Sequence, residues 1–576
     1  MYKGQVRRGP FGFFRRPRGY IDHPRPGAEL PRGPVHVLGW CLFPGTSVAR
    51  VEVRVNGGPP ERARLAIERN DIAALTKEAA APVSGFEHKA DLSRLPEGTR
   101  SVTIDATAYG LDGRELRLEP VEFAIDLAEP LHHDEDGSAA ELRARSMRPL
   151  RPRVAPSPGE PLRLVAFAHV LTQGGASRYL LELLVRLTRD HGFHCEVVAL
   201  ADGPLRERFE AAGIPVHLTD GFPVTTLRRY EGAVAELVAW TAAGEFDAVL
   251  VNTLGSFAGG DAATRLGIPA VWTVHESFLM PMFWQTAYLP GSLHPHARAQ
   301  AEQALASAAA VVFPAETTRR LFLDHAEPER LVAIPYGIEL GAMDSAMAAG
   351  GERAAARRRL GIDPDAQVIL CLGSVEARKS QTMLAAAFAH VAERHPRAEL
   401  VLVGETSDEY CADYRAALHE FVRRAGLERR VRIEPVTDDP YSWHAVSDVL
   451  ACASDIESLP RVIVEAMVFG TPVLSTRVFG VPELIEDERT GYLCDVRDTA
   501  SLADRLERVL SAPAEELAAV TGAAAPHARA RHDPDVYAAT MATLLEGVAA
   551  SPRALPADVL GVPEATDQQQ EAARGL

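Results

Sequence analysis

From residue 162 onward the chain alternates short apolar, β-branched runs with longer amphipathic ones, and that rhythm limits the fold more than any other feature. The runs 162–169, 194–200, 214–218, 247–252 and 270–274 have strand length. Between them lie helical patterns, such as 176–187 with Leu180, Leu181, Leu183, Leu184 and Leu187 on one face. Strands that are apolar throughout, separated by helices, belong to a parallel sheet covered on both faces. The rhythm continues to about Tyr336-Gly337, pauses over the Ala/Arg-rich stretch 341–359, and restarts at 368–372, 399–403, 431–433, 448–452 and 472–475. The expected fold class is therefore α/β, with two tandem Rossmann-like doubly wound domains. In such sheets ligands bind outside the carboxyl ends of the strands, and tandem domains imply a cleft.

The first 160 residues have a different texture. Residues 48–57 alternate apolar and charged side chains and end in Asn56-Gly57, a hairpin signal. Residues 101–109 alternate likewise before Gly110-Leu-Asp-Gly113, and 116–125 supplies a further pair. This predicts a small all-β, immunoglobulin-like sandwich over 21–126. Trp40 and Tyr109 could stack on a sugar there, but core packing is their expected use. Residues 127–160, with Asp134-Glu-Asp136 and closely spaced prolines, read as a linker. The remaining boundaries are a basic disordered tail 1–20, α/β domains 161–345 and 346–548 (the second closed by a terminal helix), and a disordered tail 549–576.

The 576 residues carry 61 Lys plus Arg against 78 Asp plus Glu, a net charge of −17. That balance disfavours nucleic acid as a partner. The exception is residues 1–20, where Lys3, Arg7, Arg8, Arg15, Arg16 and Arg18 meet no acid and Phe11, Phe13, Phe14 and Tyr20 are interleaved. Such a segment can touch an anionic membrane surface peripherally. No charge-free apolar run reaches 18 residues, so no spanning helix is expected. Six scattered cysteines without a C-x-x-C pair suggest buried free thiols in a reducing compartment. The expected location is cytoplasmic, with membrane association on the cytoplasmic face as an option.

Three segments carry chemistry. Val368-Ile-Leu-Cys-Leu-Gly-Ser-Val-Glu-Ala-Arg-Lys-Ser-Gln381 runs from a strand through Gly373 to a helix start near Lys379. Backbone N–H groups at a helix start, with Arg378 and Lys379, make an anion site. Arg378 stands where a P-loop needs its second glycine, so an ATPase is not expected. In Ser454-Asp-Ile-Glu-Ser-Leu-Pro-Arg-Val-Ile-Val-Glu-Ala-Met-Val-Phe-Gly-Thr-Pro-Val473, Pro460 starts a helix and Gly470 ends it. The backbone N–H groups of 458–461, other than Pro460, which has none, lie at that start, and Glu457 and Glu465 stand eight positions apart. Carboxylates that accept from hydroxyls, beside amides that hold oxyanions, suit a polyhydroxylated ligand. Val165-Ala-Phe-Ala-His-Val-Leu-Thr-Gln-Gly-Gly-Ala176 places Gly174 and Gly175 after a strand, and Val271-Trp-Thr-Val-His-Glu-Ser277 ends a strand at His275.

These segments resemble glycosyltransferase family 4, retaining enzymes of the GT-B fold, over about 162–548. The resemblance implies that Glu457 and His275 act at the donor sugar, and that Glu465 binds ribose hydroxyls. It also implies that Lys379 and Arg378 hold the donor diphosphate, with Gly174, Gly175, Ser458, Leu459 and Pro460 completing the donor site. The family often has Arg where this chain has Ser374, and Arg378 would restore that charge. It implies a nucleotide-diphosphate sugar as donor, a glycan or lipid-linked hydroxyl acceptor, and no cofactor or metal. Asp363-Pro-Asp365 is then a loop rather than a metal motif. A sugar-binding scaffold with a decayed transferase site, or another GT-B activity such as sugar-nucleotide epimerisation, stays open as an alternative. Phe278, Met280, Met282, Phe283, Trp284 and Tyr288 fit either an apolar acceptor site or a core. His294 and His296 lack an evident third metal ligand.

Overall fold

The computed structural model describes residues 16–126, 160–219, 221–288, 292–349, 353–406 and 411–551. Most of the basic N-terminal segment, the acidic triplet 134–136 with its proline-rich surroundings, and the C-terminal tail after 551 lie outside the described residues. The chain divides into two compact units.

One unit contains the β-rich region. Its strands are β1 (Arg18–His23), β2 (Glu29–Pro31), β3 (Pro34–Leu42), β4 (Val48–Val55), β5 (Glu61–Arg62), β6 (Arg64–Ile67), β7 (Gly85–Asp91), β8 (Ser101–Gly110), β9 (Glu115–Arg117) and β10 (Val121–Asp126). They form two sheets, β1-β3-β7-β6 and β2-β10-β8-β4-β5, with β9 on β8. Period-two burial drives this arrangement: Val51 and Val53 of β4 and Val102, Ile104, Ala106 and Ala108 of β8 point inward, and the residues between them do not. The turn after β4 has both Asn56 (φ 50°) and Gly57 (φ 69°) left-handed, as a type I′ hairpin requires. Arg18 and Tyr20, read from sequence as part of the tail, belong to β1 and pair with Leu42 and Trp40. Trp40 packs on Leu42 and Ile72 and has the Arg69 guanidinium over it, and Arg50 covers Tyr109, so neither ring is presented as a sugar platform.

The same unit holds a six-stranded parallel sheet in the order β20-β19-β18-β21-β22-β23. Its strands are β18 (Gln367–Leu372), β19 (Ala398–Glu405), β20 (Val431–Pro435), β21 (Val449–Cys452), β22 (Val473–Thr476) and β23 (Tyr492–Cys494). The order 3-2-1-4-5-6 is that of a Rossmann sheet, with its switch point at β18/β21. The β-sandwich and this sheet contribute to one continuous apolar cluster, from Val51 and Phe86 to Leu384, Phe388 and Leu506.

The other unit is built on β13-β12-β11-β14-β15-β16-β17, also parallel. The strands are β11 (Arg163–Ala168), β12 (His194–Ala199), β13 (Val216–Leu218), β14 (Ala248–Asn252), β15 (Ala270–Thr273), β16 (Ala310–Phe313) and β17 (Leu331–Ala333). Helices α1 (Gly175–His191), α2 (Leu227–Ala243), α3 (Phe257–Leu266), α4 (Met280–Ala287) and α5 (Pro295–Ser307) connect or cover them. The aromatic stretch after His275 is core: Met280, Phe283 and Trp284 are buried, and the Trp284 indole N–H donates to Glu302. His294 caps α5 by accepting from the His296 amide, and His296 bonds Glu231. The terminal helix Pro534–Ala550, assigned from sequence to the second α/β domain, groups with the first: the Tyr537 hydroxyl meets that of Tyr179 on α1 at 2.5 Å. All six cysteines are free, five of them buried.

Candidate active site

In the seven-stranded unit, the predicted residues collect at the carboxyl ends of β11, β14 and β15. Gly174 is the N-cap of α1, and its carbonyl accepts from the Arg178 amide at 3.1 Å. Neither Gly174 nor Gly175 has a left-handed backbone. A Cβ on Gly175 would meet nothing within 4 Å, so the glycine leaves open space at the start of a 17-residue helix rather than permitting a turn. That is a surface suited to close approach by an anion.

His275 follows β15, and its ring Nε2 lies 3.0 Å from Asn252 Oδ1 at the end of β14. Asn252 donates through Nδ2 to the Ala176 carbonyl, while its Oδ1 accepts from Thr273 Oγ1. An acceptor Oδ1 requires the proton on His275 Nε2, so Nδ1 is left as a lone-pair acceptor. The ring is fixed edge-on against Tyr179, with centroids 4.5 Å apart. Burial, with His169 nearby, pushes the His275 pKa down to about 3, so the ring is neutral. Beside it, the Glu276 carboxylate accepts from the Leu254 and His275 amides, and burial pushes its pKa up to about 7.

An unfolded His binds a proton below its ordinary value of 6.5, and the native ring does not until about 3. The unfolded state then binds more protons, so the contribution of His275 is full above 6.5 and falls as pH drops toward 3. Melting temperatures of wild type and His275→Gln should converge, or cross, as pH falls from 7 to 4. A constant difference over that range would show that His275 titrates normally.

The segment 457–461 groups with this unit and is held from three sides. Ser458 Oγ lies 2.9 Å from Thr318 Oγ1, which lies 2.8 Å from Ser277 Oγ, giving a chain of buried hydroxyls. Tyr336 donates to the Leu459 carbonyl at 2.8 Å, and Arg461 makes two 2.7 Å bonds to Glu182. Glu457 and Ser458 are buried within this frame, and helix α6 (Arg461–Phe469) begins directly after Pro460.

In the unit with the six-stranded sheet, Gly373 directly follows β18 with φ 143°, and Gly404 packs so close that a Cβ there would lie 2.3 Å from the Gly373 carbonyl oxygen. Lys379 folds back over this glycine, its Cε 3.8 Å from where a Gly373 Cβ would stand. The helix starts two residues later than the sequence suggests. Ala377–Lys379 is a single 3-10 turn, Ser380 turns left-handed at φ 53°, and the helix proper is Gln381–Val391, with the Leu384 amide donating to the Ser380 carbonyl. Arg378 reaches Glu376 at 2.8 Å, so its charge is offset locally rather than presented alone. Glu465 is 3% exposed, with its Oε2 3.5 Å from His444 Nε2. His444 is buried and stacks on Phe469 of α6, 5.5 Å between centroids.

Asn252, Glu276, Thr318 and His444 escaped the sequence reading. For Asn252 a signal existed, since a polar residue closing an apolar parallel strand sits where ligands bind. The others depend on residues distant in sequence. Among the described residues no group of three His, Cys, Asp or Glu is placed to hold a metal ion, and no helix is long and apolar enough to cross a membrane.

Comparison with known proteins agrees with this arrangement. The family model Glycosyltransferase Family 4 matches residues 173–341, and Glycosyl transferases group 1 matches 352–527. The D-inositol 3-phosphate glycosyltransferase of Streptomyces bingchenggensis is 30% identical over 398 residues, covering 64% of this chain and 85% of the relative. That of Streptomyces scabiei is 31% identical over 375 residues, covering 61% and 81%. Anabaena HepE, solved with UDP and glucose, superposes with a TM-score of 0.57 at 23% identity, over 67% of this chain and all of that one. WaaG, a glycosyltransferase involved in lipopolysaccharide biosynthesis, gives 0.53 at 20% identity, over 66% and 100%. The chain belongs to glycosyltransferase family 4, has the GT-B fold, and is an enzyme of glycosyl transfer.

Proposed function

We propose that the protein transfers a sugar, with retention of anomeric configuration, from a nucleotide-diphosphate sugar to a hydroxyl of a glycan, glycolipid or similar acceptor. The observation that carries this reading is the placement of Lys379 over Gly373, at the carboxyl end of the strand beside the switch point. There a fixed cation meets a diphosphate and stabilises the charge that grows on it as the sugar departs. Glu465 accepts hydrogen bonds from ribose hydroxyls. Glu457 meets the donor sugar, and His275 accepts a sugar hydroxyl through Nδ1. Arg378 and the helix N-termini add positive potential, so the reading needs no metal. HepE has been solved with UDP and with UDP-glucose, which makes uridine donors the first to test. The names of the curated relatives make a phosphorylated inositol the first acceptor.

A thermal-shift screen against nucleotide sugars tests the donor class. At 100 times its Kd a donor adds about 2.7 kcal/mol of stability. Proton NMR of the product then reads the anomeric configuration; an inverted linkage, or no shift with any nucleotide sugar, overturns the proposal. Glu465→Ala should raise the donor KM about 10–150-fold with kcat changed only a few-fold, because a hydrogen bond to a carboxylate is worth about 1.5–3 kcal/mol and binds ground and transition states alike. We place the reaction in the cytoplasm. The basic residues of 1–20 are read as a peripheral contact with anionic lipid, to be checked by co-sedimentation with anionic and neutral vesicles.

A further inference from the structure

The loop that carries Lys379 is braced by a strand that lies outside both family-matched segments. We propose that β6 of the accessory β-domain is a working part of the donor site: it holds loop 373–381 in its binding shape, with Arg64 as a positioning residue for Lys379. The proposal rests on the donor reading above.

Two contacts from β6 reach the supports of this loop, one at Asp455 and one at Thr382 on the helix that follows it. Arg64 Nε donates to Asp455 Oδ2 at 2.7 Å, and this carboxylate is 1% exposed and the guanidinium side chain 17% exposed. Asp455 in turn grips the loop twice, its amide donating to the Arg378 carbonyl at 2.9 Å and its Oδ1 accepting from Ser380 Oγ at 3.3 Å. Ser380 is the residue after Lys379 and has the left-handed backbone that a non-glycine residue keeps only when its surroundings hold it. Two residues from Arg64, the Ala66 carbonyl accepts from Thr382 Oγ1 at 3.1 Å, on the first turn of the following helix. The strand thus fixes the loop before and after the strained residue that aims Lys379. Arg497 also faces Asp455, at 3.5 Å, and Arg64 bonds Glu87 of β7 at 3.1 Å, so the carboxylate is buried among cations supplied partly by the accessory domain. An unpaired Asp455 would be a buried charge without compensation, and its grip on the loop would change with it.

The test is calorimetric binding of UDP, GDP, ADP and dTDP to the full chain, followed with whichever diphosphate the wild type binds. Arg64→Ala and Asp455→Asn should each weaken binding about tenfold, the effect expected when the support of a binding residue is removed, and Arg64→Lys should recover most of the loss. Arg424→Ala is the control. It breaks contacts to the Ala73, Thr76 and Glu78 carbonyls of the same accessory domain, far along the chain from the loop, and should bind within about twofold of wild type. Thermal melts are recorded in parallel. If Arg64→Ala binds like wild type, or if affinity simply follows melting temperature across both arginine variants, Arg64 only stabilises the fold and the inference is overturned. Should Arg64→Ala not fold, Thr382→Val carries the test: it removes the bond to the Ala66 carbonyl together with the 3.2 Å contact to the Tyr414 hydroxyl, with at least about threefold weaker binding expected and wild-type affinity counting against the proposal. Lys379→Ala separates the two levels. If it too binds normally, or if the wild type binds none of the four diphosphates, the donor reading itself falls; if Lys379→Ala binds weakly and Arg64→Ala normally, only this inference does.

Discussion

Lys379→Ala is expected to lower kcat/KM for the donor by about 10²–10³, equivalent to about 2.7–4 kcal/mol of lost transition-state stabilisation. Two unit charges 4 Å apart at a protein surface interact by about 4 kcal/mol, and the interaction grows as the departing diphosphate gains charge. Part of the loss should therefore appear in kcat as well as in KM. Lys379 lies against Gly373 with no side chain between, so a neighbouring cation cannot simply slide into its place. Arg378→Ala should cost clearly less, because its guanidinium is half exposed and already paired with Glu376. Steady-state kinetics with the donor found in the screen decides this. A Lys379→Ala enzyme with wild-type kcat/KM would remove the diphosphate assignment.

The largest stability effect is expected from Arg265→Ala. Arg265 on α3 has no exposed side-chain surface, and bonds Glu231 of α2 at 2.6 and 3.0 Å and Asp261 of its own helix at 2.9 and 2.7 Å. Tyr230 donates to Asp261, and His296 of α5 bonds Glu231, so the buried cluster around the arginine ties three helices together. Removing it leaves two carboxylates buried side by side, and breaking such a pair costs about 3–5 kcal/mol. At about 2–4 °C per kcal/mol, that is a melting point lower by roughly 10 °C. Burial pushes the Glu231 pKa up, but hydrogen bonds from His296 and Arg265 outweigh it and hold the group at about 2. A carboxyl held below its ordinary value stabilises fully above pH 4.5, and the contribution is lost as pH falls toward 2. The gap between wild type and Arg265→Ala should therefore be widest near neutrality and narrow on acidification. A loss under 1 kcal/mol at pH 7 would show that water or local rearrangement satisfies the carboxylates.

The sheet unit around 162–333 is legible because short, mostly apolar runs with valines, separated by amphipathic helical patterns, fit the inner strands of a covered parallel sheet. Strands β16, β17 and β23 were not named from sequence. They are three or four residues long, as are β13, β15, β21 and β22, and β16 closely follows the alanine-rich end of α5, where an apolar run does not separate a strand from a helix end. Glu457, Glu465, His275 and Lys379 stood out because their motif spacing is local. The start of the helix after Lys379 was misplaced because its stop signal is a left-handed serine, and nothing in the sequence distinguishes Ser380 from an ordinary cap. On the donor reading proposed above, the net charge of −17 is a poor guide to the ligand, because a few local cations would hold an anion against the global sign.

What the sequence by itself determined is the alternation of strands and helices in the two α/β regions, the parallel character of both sheets, and the residues that motif spacing brings near strand ends. These follow from apolar period and backbone chemistry, which act over a few residues. Only the tertiary structure decided that the accessory β-domain shares a core with the six-stranded sheet, that the terminal helix packs on α1, and that Arg64 reaches Asp455 across 391 positions of sequence. Buried ion pairs and shared cores arise wherever the folded chain removes water from two surfaces at once. No local pattern encodes which distant carboxylate a guanidinium will find there.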